Sequence, residues 1–150
     1  MKSALLKYLV CPTCQDPLDC EPTSCVRGDI EEGTLRCPRC QRRYAIHKGI
    51  PRFTDQQVHR HDRTSAAFGY EWRMHPELAP YHEQQFLEWI LPVTPEFFRG
   101  KIVLDAGCGK GRHVALAARY GAREVIGVDV SAAIEVAAAN VRRLPNVHLL

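Results

Sequence analysis

The sequence lacks the long apolar segment that a membrane-spanning helix requires. No run of about 18 apolar residues occurs in the 150 residues, so we expect no association with membranes. A signal peptide is also missing, because Met1–Val10 has a lysine in its middle and leads into a cysteine pair rather than a small-residue cleavage site. We therefore expect a cytoplasmic protein. Internal repeats and low-complexity tracts are absent too, which leaves an ordinary globular composition.

Net charge is also low. The formal charge of +3 is too small to indicate a nucleic-acid partner by itself. The charge is distributed unevenly, with +2 in residues 1–55, −3 in residues 56–98 and +4 in residues 99–150. These boundaries coincide with changes in motif. The sequence therefore predicts three segments, which are a small cysteine-rich ribbon (1–55), an aromatic and helical linker (56–98) and an incomplete α/β domain (99–150).

Two Cys-x-x-Cys pairs stand out in the first segment. Seven cysteines in a chain without an export signal favour metal binding over disulfides. A two-residue gap lets one tight turn direct two thiolates at one ion, and two such turns complete the tetrahedron that zinc prefers. Four protein ligands leave no open position for a substrate, so the predicted role is structural. The predicted zinc ligands are Cys11, Cys14, Cys37 and Cys40.

The surroundings of these pairs leave some alternatives open. Cys20 and Cys25 lie in the intervening stretch and are weaker ligand candidates, and His47 can in principle replace a cysteine. Four arginines flank the second pair and either compensate the charge of a four-thiolate zinc site or contact RNA phosphate; we favour the first interpretation. Short strands are predicted at 33–36 and 44–46. The segment has too few apolar residues for a core of its own, so we expect metal binding to supply its folding energy.

A resemblance can be named on these motifs. Cys-Pro-x-Cys, then Cys-x-x-Cys, then Tyr-Ala-Ile-His-Lys-Gly-Ile-Pro (44–51) resembles the family of small zinc-ribbon proteins that partner and activate several RNA, tRNA and release-factor methyltransferases. Its relatives also occur as N-terminal ribbons on bacterial methyltransferases. The resemblance implies a zinc ribbon in residues 1–55 and a role in binding a partner or in stabilising an attached enzyme.

The last segment has the pattern of a parallel sheet. Strands are predicted at 102–104, 124–128 and 146–150, and helices at 113–120 and 132–144, with Ser131 as the N-cap of the second helix. The order β-α-β-α-β is typical of a parallel α/β sheet. In the linker, a further helix is predicted at 81–91, and Phe68, Tyr70 and Trp72 alternate along the sequence.

A glycine-rich turn follows the first of these strands. Gly107, Gly109 and Gly111 allow a sharp turn and let a ligand approach bare backbone, and the next helix directs its N–H groups towards that ligand. Asp129 follows the second strand, where a carboxylate can accept hydrogen bonds from ribose hydroxyls. Two departures argue against a dinucleotide. Arg112 occupies the position of the third fingerprint glycine, and Asp105 would repel a pyrophosphate but suits an ammonium group. Both favour S-adenosylmethionine over NAD.

These residues also carry a second resemblance. Val-Leu-Asp-Ala-Gly-Cys-Gly-Lys-Gly (103–111) and Val-Ile-Gly-Val-Asp-Val-Ser (125–131) resemble the first motif and the acidic loop of class I S-adenosylmethionine-dependent methyltransferases. The resemblance implies that the glycine backbone lies against the cofactor, that Asp105 faces its methionine end and that Asp129 binds its ribose. The implied cofactor-binding residues are Asp105, Gly107, Gly109, Gly111, Asp129 and Val130. The aromatic residues at 68–72 either cap the cofactor or dock the linker, and we favour docking.

The predicted fold is α/β, the N-terminal half of a Rossmann-like class I methyltransferase fold preceded by a small β-rich zinc ribbon. Only three strands of the expected seven are present, in the order 3-2-1, and the first strand has one unpaired edge. We therefore expect a fragment, a truncated form or a chain completed by a partner or by self-association through that edge.

The predicted function is methyl transfer from S-adenosylmethionine to an acceptor that is a small molecule, RNA or protein, with little activity in the isolated chain. No catalytic residue can be named. The alternatives are a non-catalytic ribbon adaptor and, with less support, half of an NAD-dependent oxidoreductase.

Overall fold

The computed structural model describes residues 1–53 and 63–150. The chain divides into two compact units, Met1–Asp55 and Gln56–Leu149. The second unit includes the segment that was predicted as a linker, together with the parallel sheet. None of the helices in the described ranges has the length and apolarity that a bilayer crossing requires.

The N-terminal unit is an antiparallel sheet behind a short 3-10 helix, Ser3–Tyr8. Its four strands follow chain order, with β1 Asp19–Val26, β2 Asp29–Arg36, β3 Arg43–His47 and β4 Ile50–Pro51. The predicted strands at 33–36 and 44–46 lie within β2 and β3. The long β1–β2 hairpin was not predicted because seven of the eight residues of β1 are exposed, so hydrophobic alternation is weak in that strand.

This unit has a core of its own, which corrects the expectation from composition. Leu5 of the 3-10 helix, Leu35 of β2 and Ile46 of β3 are all at most 1% exposed. They pack in one cluster with the buried Cys11 and Cys37. The expectation failed because these apolar residues are scattered along the sequence, and only the fold of the hairpins brings them together.

The C-terminal unit begins with two helices, α1 (Arg63–Met74) and α2 (Tyr81–Trp89). A β-α-β-α-β segment follows, with β5 Ile102–Ala106, α3 Arg112–Arg119, β6 Glu124–Val128, α4 Ala133–Val141 and β7 Val147–Leu149. The three strands are parallel in the order β5-β6-β7. This confirms the predicted α/β class and the 3-2-1 order. The predicted helices and strands of this region recur with ends shifted by a few residues.

One face of the parallel sheet is covered by helices and the other is more open. Val125 of β6 and Val147 of β7 are buried on the covered face, at 0% and 4% exposure. On the opposite face, Ile102 and Leu104 of β5 are 46% and 65% exposed. Within the part of the chain that the structure describes, β5 pairs only with β6 and forms an edge of the sheet. Pairing of this edge with a partner or a second copy stays a prediction.

Candidate functional site

The four predicted metal ligands lie together in the N-terminal unit. Their sulfur atoms are all within 4.8 Å of one another. The Sγ atoms of Cys11 and Cys40 are 3.5 Å apart, and those of Cys14 and Cys37 are 3.4 Å apart. These separations are too long for a disulfide bond. They are close to the distance between two sulfur ligands of a tetrahedral site whose zinc–sulfur bonds are about 2.3 Å. The donor set and its spacing therefore fit zinc.

Both Cys-x-x-Cys turns have the same backbone geometry, and this geometry explains why a two-residue gap brings the two thiols of each turn together. The N–H of Gln15 donates to the Cys11 carbonyl at 2.8 Å, and the N–H of Gln41 donates to the Cys37 carbonyl at 3.0 Å. Each glutamine follows its cysteine pair and has a φ of +61°. In each turn the first cysteine is buried and the second is half-buried. Two equivalent turns thus present their thiols to one point from opposite sides.

Tyr44 also lies beside this cluster, although sequence analysis assigned it no role at the predicted metal site. Its hydroxyl lies 3.3 Å from Cys11 Sγ, and its ring packs on Phe53 with centroids 4.9 Å apart. The hydrogen bond that the hydroxyl donates is the largest of the effects that lower the pKa of Cys11 to about 6. A donor of this kind stabilises a thiolate, which is the form of cysteine that a metal ion would require.

The structure separates the three weaker ligand candidates from the four-sulfur cluster. Cys20 and Cys25 lie on β1, and in the described ranges neither belongs to the four-sulfur group. His47 instead pairs with Glu32 at 3.1 Å. These three residues are therefore not part of the ligand set seen here.

Three of the four arginines beside the second cysteine pair contact carboxylates of the same unit. Arg36 pairs with Glu21 at 3.2 Å, Arg39 with Asp16 at 3.5 Å, and Arg43 with Glu21 at 2.7 Å. These pairs are with carboxylates and not with the thiols, so compensation of the charge of a four-thiolate zinc site stays a prediction, as does the alternative of contact with RNA phosphate.

The glycine turn of the C-terminal unit connects β5 to α3. The N–H groups of Gly107 and Cys108 both donate to the Val128 carbonyl, at 2.7 and 2.9 Å, so the turn is fastened to the end of β6. The φ angles of Gly107, Gly109 and Gly111 are +84°, +52° and +84°. Residues with a Cβ are strained in this region, which is why the turn requires glycine.

Asp129 is held in place by this turn. The Gly109 N–H donates to Asp129 Oδ2 at 2.8 Å, while the N–H and hydroxyl of Ser131 donate to Oδ1 at 2.8 and 2.6 Å. The Ser131 hydroxyl also accepts a bond from the Ala133 N–H at 3.2 Å, close to its predicted capping role. The neighbouring Val130 is 54% exposed. The carboxylate thus lies directly beside the glycine backbone.

Asp105 has an unusual environment at the end of β5. Its Oδ2 atom is buried and has no hydrogen-bond partner among the described residues. Burial, followed by the nearby Asp129 carboxylate, raises the pKa of Asp105, while His113 and Arg112 act in the opposite direction. A buried, unpartnered carboxylate oxygen is costly unless a ligand or water satisfies it. An ammonium group at this position would donate a hydrogen bond to Oδ2 and would place a positive charge beside the carboxylate.

Two further residues of the glycine turn, Gly111 and Cys108, have packing roles. Gly111 faces α4, where an added Cβ would lie 3.2 Å from the Cβ of Ala137, so its packing role is helix–helix contact. Cys108 is 7% exposed, and burial raises its pKa to about 12, which agrees with a packing role rather than a nucleophilic one.

The aromatic segment at 68–72 lies within helix α1. Trp72 of α1 contacts the glycine turn, since a Cβ on Gly109 would lie 3.2 Å from its indole Nε1. Tyr70 is 63% exposed, and the side chain of Phe68 lies outside the described residues. Trp72 therefore docks α1 on the glycine turn, while capping of the cofactor by these aromatic residues stays an untested alternative.

Comparisons with known proteins agree with both resemblances. Residues 2–49 match the model of the family described as Trm112p-like protein, and residues 103–150 match the methyltransferase domain model. Protein arginine N-methyltransferase 1 of Saccharomyces cerevisiae is 55% identical over 42 residues, which is 28% of this chain and 12% of that protein. The protein of the same name from Schizosaccharomyces pombe is 54% identical over 44 residues, 29% of this chain and 13% of that one. The chain thus spans about an eighth of the length of these relatives.

Solved structures give partial matches as well. A SAM dependent methyltransferase from Aquifex aeolicus has 22% identity and a TM-score of 0.39, covering 55% of this chain and 45% of that one. Protein arginine methyltransferase 10 of Arabidopsis thaliana has 27% identity and a TM-score of 0.37, covering 62% and 24%. The family matches confirm that the chain joins an N-terminal segment similar to Trm112p-like proteins to a segment similar to the methyltransferase domain.

Proposed function

We propose that residues 103–150 are the cofactor-binding part of an S-adenosylmethionine-dependent methyltransferase and that residues 1–55 form a structural zinc ribbon. The observation that carries the cofactor assignment is the buried Asp105 Oδ2 without a partner, beside a glycine turn that is held against Asp129. A methionine moiety brings an ammonium group, and a nucleoside brings ribose hydroxyls. One cofactor with both groups satisfies both carboxylates.

Each residue then has a defined part in binding. Asp105 accepts a hydrogen bond from the ammonium group, which offsets the cost of burying its charge. Asp129 accepts from the ribose diol while the Gly109 N–H and Ser131 keep its carboxylate oriented. The exposed backbone of Gly107 and the neighbouring Val130 line the approach. The cofactor supplies an electrophilic methyl group, and the protein supplies its orientation towards the acceptor.

The zinc proposal depends on the four-sulfur cluster and its reduced state. All seven cysteines are free, and thiolate ligands require a reducing environment. We therefore also propose a cytoplasmic location. A second candidate function, a ribbon that binds another protein, is favoured by the match of residues 2–49 to the Trm112p-like family and by the independent core of that unit.

The experiment is calorimetric titration of S-adenosylmethionine into the whole chain, with NAD as the comparison ligand. Asp105→Asn keeps the shape of the side chain but removes its charge. We expect about 10- to 100-fold weaker binding, because a hydrogen bond to a charged group contributes roughly 1.5–3 kcal/mol. Glu88→Gln is the matched control, since Glu88 is exposed on α2 and bonds only to Gln84 in the described contacts.

Three results would count against the assignment. These are failure of the chain to bind S-adenosylmethionine, tighter binding of NAD, and equal affinity for the Asp105→Asn and Glu88→Gln variants. Zinc content measured on the purified chain tests the ribbon separately. About one zinc per chain is expected for a single tetrahedral site, and its loss on Cys37→Ser follows from removal of one of four ligands.

A further inference from the structure

The C-terminal end of α1 is fastened to the glycine turn by side chains that the proposed function does not use. Lys110, within the turn, donates from Nζ to the His75 carbonyl at 2.7 Å. Asn140 of α4 donates from Nδ2 to the Pro76 carbonyl at 2.8 Å and to the Lys110 carbonyl at 3.0 Å. One amide therefore joins the chain after α1 to the turn itself.

Trp72 adds an aromatic contact to these hydrogen bonds. The Lys110 ammonium lies 4.8 Å from the centre of the indole ring, and the Arg112 guanidinium lies 5.6 Å from it. The same ring sits against Gly109, whose lack of a Cβ permits the approach. Cation–π contacts of this kind are stronger when the cation is removed from water.

The burial of Lys110 is unusual for a lysine. The residue is only 5% exposed, and burial is the largest effect lowering its pKa. A buried ammonium needs contacts that offset the free-energy cost of its desolvation. The His75 carbonyl and the face of the Trp72 ring provide such contacts. A lysine that served only solubility would extend into water instead.

Helix α1 also contacts the start of α4, through a residue one turn before Trp72 on the same helix face. Gly69 is buried, and a Cβ there would lie 3.3 Å from the Ala132 nitrogen. Ala132 follows directly after the Asp129–Ser131 segment. Helix α1 therefore touches both parts of the proposed cofactor site, the glycine turn and the loop that carries Asp129.

We propose that Lys110 and Asn140 are positioning residues that latch α1 onto the glycine turn and hold that turn in the shape that binds the cofactor. This inference rests on the proposed function, because it takes S-adenosylmethionine as the ligand of the glycine turn. Neither side chain has to touch the cofactor. The latch instead fixes the backbone of Gly109 and, through its N–H, the orientation of Asp129.

The test combines hydrogen exchange with cofactor titration on the whole chain. Lys110→Met keeps the length of the apolar stem and removes the ammonium. We expect loss of amide protection in residues 72–77 and 107–111 and about 10-fold weaker S-adenosylmethionine binding, the effect of one lost charge-assisted hydrogen bond. Asn140→Ala is a second variant, should Lys110→Met fail to fold. It removes two neutral hydrogen bonds in place of the charge-assisted one, and we expect a similar loss of protection and of affinity.

Lys101→Met is the matched control. Lys101 also has its ammonium over an aromatic ring, that of Phe97 at 5.1 Å, but it is exposed and lies at the start of β5 away from the turn. We expect wild-type affinity and wild-type protection of the glycine turn for this variant. Weakening by Lys101→Met equal to that by Lys110→Met would overturn the proposal, because any lost lysine would then have the same effect.

The two readouts separate failure of the latch from failure of the proposed function. Unchanged protection of residues 72–77 and 107–111 in both Lys110→Met and Asn140→Ala would overturn the latch. Lost protection with unchanged affinity would overturn the positioning role and leave a purely structural contact. If the wild-type chain binds no S-adenosylmethionine, the proposed function fails and the positioning role fails with it, while the exchange data still decide whether the contact exists.

Discussion

The substitution Gly111→Ala tests how closely α3 and α4 approach each other. Gly111 precedes α3 with a φ of +84°. An added Cβ would lie 3.2 Å from the Cβ of Ala137 and 3.4 Å from Cγ1 of Val141, both on α4. The new methyl group therefore meets α4. This helix also packs on β7, so it cannot move away without disturbing that contact.

Two costs add at this position. A left-handed backbone costs a non-glycine residue about 1–2 kcal/mol, and forcing an extra methyl group into a packed contact typically costs about 1–3 kcal/mol. We expect Gly111→Ala to lower the free energy of unfolding by about 2–5 kcal/mol. Gly100→Ala is the matched control, because Gly100 has a φ of +72° but nothing within 4 Å of an added Cβ. Its expected loss is the backbone term alone, about 1–2 kcal/mol.

Urea unfolding followed by tryptophan fluorescence is the appropriate assay. The chain has two tryptophans, Trp72 and Trp89, and both lie in the C-terminal unit. Their emission reports this unit without a contribution from the ribbon. Linear extrapolation then gives the free energy of unfolding for each variant.

A compensating substitution sharpens the test. Ala137→Gly removes the atom that the new Cβ would meet, at an intrinsic helix cost of about 1 kcal/mol. In the Gly111→Ala background it should cost less than that or restore stability, which a double-mutant cycle measures as coupling. The reasoning is refuted if Gly111→Ala costs no more than Gly100→Ala, or if the two substitutions at 111 and 137 are simply additive.

Two further predictions concern the ribbon and the pH dependence of the C-terminal unit. Tyr44→Phe keeps the ring on Phe53 but removes the donor to Cys11, so we expect zinc affinity to fall by about 10-fold or more in a competition with a chromogenic chelator; equal affinity would remove Tyr44 from the site. Burial lowers the pKa of His82 below its ordinary value of 6.5, and its Nδ1 accepts from the Ala79 N–H. Its contribution to stability is therefore present above pH 6.5 and lost as the pH falls through its folded pKa. His82→Asn keeps the acceptor and cannot titrate, so unfolding measured by tryptophan fluorescence should depend less on pH below 6.5; an unchanged slope would contradict this.

The parallel α/β region was predictable because local signals agree there. The apolar run at 124–128 is bounded by turn residues, and it became β6 with the predicted limits. The glycines at 107–111 predicted a turn, and all three adopt the left-handed backbone that glycine favours. The two cysteine pairs were equally informative, because a two-residue gap lets one turn bring two sulfur atoms together, and all four sulfur atoms lie within 4.8 Å of one another.

The long hairpin and the ribbon core were not predictable in the same way. Strand β1 is stabilised by pairing with β2 rather than by its own apolar residues, so no periodic signal marks it. Leu5, Leu35 and Ile46 form a core only because three elements distant in sequence converge. The bounds of α1 were not predicted, and this helix packs on α4 through Gly69, a contact that no local pattern specifies.

The sequence by itself selected the residues that we propose to bind zinc and the cofactor: the four cysteines, the glycine turn and the two aspartates. Short-range spacing is enough for that, because one turn or one strand end positions each of them. Only the tertiary structure decided what surrounds those residues. It brought the Tyr44 hydroxyl to Cys11, left a buried oxygen of Asp105 without a partner, and placed Lys110 and Asn140 between α1 and the turn. Such contacts join residues about 30 or more positions apart, and their energies depend on burial, which no local pattern specifies.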